Sequence, residues 1–134
     1  MTAEEYGAFL NMLLEAERAG AKLLSAYLDE LPADFAGREA VRAVQRDEAR
    51  NCAVLLELLR ASGTAPSSAT GNFYEKGLAV QGWPERFEFL NRGQAWVAKR
   101  LAKALGELPA SARTALQEMH DSHLDNIRKC ETLL

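Results

Sequence analysis

Apolar residues recur every three or four positions along four long stretches of this chain, the spacing that gives a helix one buried face. In the first stretch, "LNMLLEAERAGAKLLSAYLDEL", alternating steps of four and three select Leu10, Leu14, Glu17, Ala21, Leu24, Leu28 and Leu31. The second gives Val41, Val44, Glu48, Asn51, Leu55 and Leu58, and the third Phe87, Leu90, Gln94, Val97, Leu101, Ala104 and Leu108. The fourth gives Leu116, His120, His123, Ile127, Cys130 and Leu134. Every seam is apolar near its ends and polar near its middle.

Proline and glycine divide the stretches into elements. The first helix is predicted from about Thr2, a suitable N-cap before Glu4 and Glu5, to Leu31, and stops at "LPADFAG". The second is predicted from about Arg38 to Ala61, with Gly63 as its C-terminal stop. A third begins at "GWPERF", where Pro84 suits a first turn, and ends at "GELP"; a fourth opens at Ser111. Between the second and third runs "SGTAPSSATGNFYEKGLAVQG", in which "NFYEKGLAV" reads as a brief helix. Short loops force antiparallel neighbours, whereas the long link can return the chain along the bundle and leave the second and third helices parallel. The expected fold is all-α: one four-helix bundle over residues 1–134, built from two antiparallel hairpins joined by a long crossover.

Composition narrows the function classes. A chain of 134 residues, 48% hydrophobic, is the size of one domain with one core. A charged fraction of 26% and a net charge of −3, with Lys and Arg dispersed, argue against nucleic acid as a partner. No apolar run approaches the roughly 20 residues of a membrane span. The acidic "MTAEEYGAF" is unlike a signal peptide, so a cytoplasmic location is expected. Cys52 and Cys130 should sit about 16 Å apart along the bundle by helix rise, too far for a disulfide, and read as small core residues.

The polar interruptions fall at one height. Glu17 lies about 16 residues before the first turn and Glu48 about 15 after it. Gln94 lies about 14 before the second turn, with His120 and His123 about 12 and 15 after it. All should therefore meet in one layer at half height. A lone buried carboxylate costs several kcal/mol unless it is paired or metal-bound. Glu17 and Glu48 facing His120 and His123 can either share protons and charge in a metal-free layer or jointly hold a cation. Arg92 swinging inward is a further way to neutralise the acids.

The seams resemble the ferritin-like superfamily, of the bacterioferritin and rubrerythrin type. "LNMLLEAE" is similar to its first helix, with Glu17 at the liganding glutamate. "DEARNCAVLLELLRASG" is similar to its second, with Glu48 at the bridging carboxylate, and "MHDSHLDNI" to its fourth, with His123 at the histidine. "LLEAERAGA", "GNFYEKGLA", "FLNRGQAWV" and "SHLDNI" are closer to a small bacterial ferritin-like family of unknown function. The resemblance implies a metal-binding oxidoreductase or metal-handling domain.

Asn51, Gln94 and His120 depart from that superfamily's ligands, and the ligand charge falls from about −4 to −2, which suits one divalent Fe, Mn or Zn ion rather than two. The expected ligands are Glu17, Glu48, His120 and His123, with Asn51, Gln94 and Glu88 in a second tier. Glu88 follows seam residue Phe87 and points about 100° away, so Gln94 ranks ahead of it and of Glu85. A homodimer is expected, and the competing expectation is a metal-free, degenerate ferritin-like scaffold acting as that homodimer or as an interaction module. A weaker one is a small-molecule pocket under the crossover, using Tyr74 and Trp83. Trp96, Tyr6 and Tyr27 read as packing or helix-flank residues.

Overall fold

The computed structural model describes residues 1–134 and is all-helical. Its elements are α1 (Ala3–Glu30), α2 (Arg38–Ser62), a short α3 (Phe73–Ala79), α4 (Trp83–Ala104) and α5 (Ala110–Glu131), with a 3-10 turn at Leu105–Glu107. The punctuation works as expected. Thr2 caps α1 reciprocally: its Oγ1 accepts from Glu5 N at 3.0 Å while Thr2 N donates to Glu5 Oε1 at 2.8 Å. Gly63 ends α2 in the left-handed region at φ 73°, which costs a glycine little. No helix is long and apolar enough to cross a membrane.

The long helices form two antiparallel hairpins. Cross-contacts fix the first: Gln45 meets Ser25, and Arg38 reaches the carbonyls of Leu28 and Leu31. In the second, Asn91 reaches the Ile127 carbonyl and Gln94 meets His123. Tyr27 near the end of α1 lies edge-on to Trp83 at the start of α4, so α4 runs antiparallel to α1 and parallel to α2.

The crossover is strapped along α1. Asn11 accepts from Ser67 N at 2.7 Å and donates to Ala65 O, Arg18 donates to Ala69 O, and Tyr27 donates its hydroxyl to Gly77 O at 2.7 Å. Phe73 stacks on Phe89, an approach allowed because a Cβ at Gly93 would lie 2.7 Å from the Phe73 ring. At the far end Arg86 holds the carbonyls of Val80 and Leu78 and lies over the rings of Tyr27 and Trp83.

The seam of α4 is buried throughout as the sequence predicts, from Phe87 to Leu108. Elsewhere the phase needs correcting. Gly20 and Tyr27, rather than Ala21 and Leu28, face inward on α1, and Leu59 replaces Leu58 on α2. Tyr6 and Tyr27 are core residues, not flank residues. On α5 the buried stripe is Ala112, Leu116, Met119, His123, Asn126 and Cys130, so His120 and Ile127 leave the seam and Leu134 is exposed.

Buried apolar side chains form two clusters. One gathers Leu10, Leu14, Leu55, Leu59, Leu101 and Leu116; the other Leu23, Leu24, Val41, Val44, Phe87 and Leu90. The division falls at the polar positions of all four long helices. Glu17 lies between Leu14 and Leu23, Glu48 and Asn51 between Val44 and Leu55, Gln94 between Leu90 and Val97, and His123 and Asn126 between Met119 and Cys130.

Candidate metal centre

Three long helices each bring one strong ligand type to this layer. Glu17 of α1, Glu48 of α2 and His123 of α5 are 0%, 6% and 0% exposed. One ligand atom from each lies within 4.8 Å of the other two. Both ring nitrogens of His123 are engaged: Nε2 meets Glu17 Oε1 and Nδ1 meets Gln94 Oε1. Such an imidazole can meet the Gln94 oxygen through an Nδ1 proton, and the Glu17 carboxyl through a shared proton or a cation at Nε2.

That distinction defines Gln94. Its Oε1 can accept an Nδ1 proton, which orients the ring and leaves Nε2 facing Glu17. Gln94, placed in the second tier from the sequence, thus contacts the His123 ring directly.

Glu48 is held differently. Its carboxylate lies directly against Gly20, where an added Cβ would collide with it. Burial holds its pKa well above the usual carboxylate range, and the nearby charges of Glu17 and then Asp47 push the same way. Burial, with Glu17 and Glu48 adding to it, also raises the Cys52 thiol to about 11.

His120 does not join the group. One position beyond buried Met119, its ring turns away from the seam, and Nδ1 lies 3.0 Å from Asp121 Oδ1. Glu88 is exposed on α4. Arg92 does not swing inward; its guanidinium stays at the surface, 5.8 Å from the Phe89 ring. Asn51 is buried one turn from Glu48, with its Nδ2 unpartnered. Asn126, three residues past His123, is fully buried and was missed by the sequence reading. Its signal was present in the three-residue step from His123 and the four-residue step to Cys130.

The buried side-chain polar atoms without a hydrogen-bond partner are Glu17 Oε2, Glu48 Oε2, Asn51 Nδ2, Asn91 Oδ1, Gln94 Nε2 and both amide atoms of Asn126. All belong to this level of the bundle. Such atoms cost about 1–3 kcal/mol each when nothing satisfies them. One imidazole nitrogen and two carboxylates with orphaned oxygens fit a divalent cation in ligand type and in charge.

A family model described as "Domain of unknown function (DUF6306)" matches residues 4–132. The chain belongs to that family. No curated protein and no solved structure matches the chain. The family description assigns no activity, so function has to be argued from the layer itself.

Proposed function

We propose that this chain is a ferritin-like metal protein holding one divalent ion of iron, manganese or zinc between Glu17, Glu48 and His123. The observation that carries the reading is the buried acid–acid–imidazole group, with one ligand atom from each residue within 4.8 Å of the others. The four-ligand set expected from the sequence is reduced to three by the outward turn of His120. Gln94 orients His123, and Gly20 seats Glu48. The ferritin-like assignment is supported by helix order, the long crossover and the ligand positions on α1, α2 and α5.

A bound iron or manganese ion would supply one-electron chemistry at this level, and zinc a Lewis acid. The chain's own part is to hold that ion with two negative charges and one oriented imidazole, between two apolar clusters.

The test is elemental analysis of untagged protein purified without chelators. Near-stoichiometric metal is expected in the natural sequence, with most of it lost in Glu48→Gln. Adding the retained metal to stripped protein should raise the melting temperature, because an ion that binds only the folded chain stabilises it. Negligible metal, and no shift with Fe²⁺, Mn²⁺ or Zn²⁺, would overturn the proposal and favour the metal-free scaffold.

A further inference from the structure

Between α1 and α4, below residues 70–73 of the crossover, the bundle opens into a cleft of about 560 Å³. That is within the range of roughly 300–1,000 Å³ typical of small-molecule sites. A pocket under the crossover was expected around Tyr74 and Trp83, but both are engaged elsewhere. Tyr74 lies under Lys22, and Trp83 packs on Tyr27 and Phe87. The walls are instead Met12, Ala16, Phe73, Phe89 and Val97, with Trp96 at the rim, 40% exposed. The floor is polar, formed by Glu48 and Gln94, each carrying a buried unpartnered atom.

Besides Glu48 in the floor, two charged side chains line the cleft, Arg92 and Glu15, and neither is in an ion pair. The Arg92 guanidinium lies near the Phe89 ring and presents donors suited to a carboxylate. Glu15, on the α1 side, repels a second negative charge.

We propose that this cleft binds a small monocarboxylate with an unbranched or flat apolar body. Its carboxylate lies on Arg92, its body lies along the Met12, Phe89 and Val97 walls, and its far end approaches Glu48 and Gln94. Binding itself does not require a metal. That the far end of the ligand lies beside a metal ion rests on the preceding proposal.

Calorimetric titration of chelator-treated full-length protein with octanoate, octanol and octanedioate tests the cleft alone. Octanoate should saturate at about one per chain, and the dianion should bind more weakly. Arg92→Gln should weaken octanoate about tenfold, the order expected for loss of a charge-assisted hydrogen bond, and leave octanol unchanged. Ala16→Phe should fill the cleft and abolish binding of both while helical content is retained. Absence of saturable octanoate binding, indifference to Arg92→Gln, or full binding in folded Ala16→Phe would overturn the proposal. Should Ala16→Phe fail to fold, the exposed Arg92→Gln decides the matter. Octanoate binding by protein that never carries metal would uphold the cleft and overturn the metal centre.

Discussion

Glu48 keeps its carboxylate where Gly20 offers no side chain, and the two residues act as one device. Gly20→Ala should separate effects that usually move together. Alanine favours the helix by about 1 kcal/mol over glycine, yet its methyl displaces the carboxylate. The expected outcome is a helix content unchanged by circular dichroism and a metal content well below that of the natural protein. Tyr27 supports a second prediction at this scale. Its phenol is pushed up to about 12, chiefly by burial and against the lowering effect of Arg86. An unfolded phenol titrates near 10, so the folded chain holds this proton more tightly. The stabilisation is complete below about pH 10 and disappears as pH rises towards 12. Urea unfolding across that interval should show a fall in stability that Tyr27→Phe flattens. The same variant should cost about 1 kcal/mol at neutral pH through the lost bond to Gly77 O. Glu17, Glu48, Gln94 and His123 were legible as interior polar residues because each interrupts an apolar stripe. The seating of Glu48 on Gly20 was not, since it depends on the approach of a different helix.

At the scale of the element, α4 could be read completely because its apolar residues leave no second phase open. In α5 two phases compete after Leu116. A four-residue step reaches His120 and a three-residue step reaches Met119, and only packing against the other helices chooses between them. Met119 wins because an apolar side chain gains by burial, while His120 keeps Asp121 and solvent. The brief helix within the crossover was visible in "NFYEKGLAV", but its docking was not. Tyr27 bonds the backbone of that helix, and Asn11 and Arg18 the backbone of the link ahead of it, each joining residues 50 or more positions apart. Termini can be predicted with more assurance. The reciprocal Thr2–Glu5 bonds begin α1, and Thr2→Ala should cost about 1 kcal/mol in denaturant unfolding with helix content otherwise preserved.

For the whole molecule, loop lengths carried most of the architecture. Two short turns and one long link left few ways to arrange four amphipathic helices, and the parallel placement of α2 and α4 follows from the link. The cleft was foreseen only as a pocket under the crossover. Its true walls come from α1, α4 and the crossover together, which no single helix pattern encodes. The separation of apolar side chains into two clusters has a further consequence for how the fold tolerates change. Leu59 and Leu24 belong to opposite poles, with a polar equator between them. Truncating either to alanine should cost about 2–5 kcal/mol. Because they share no packing partners, the double variant should equal the sum of the singles within about 0.5 kcal/mol in a double-mutant cycle. Each pole can then drift in sequence without retuning the other, and selection on the geometry at the equator need not constrain either hemisphere.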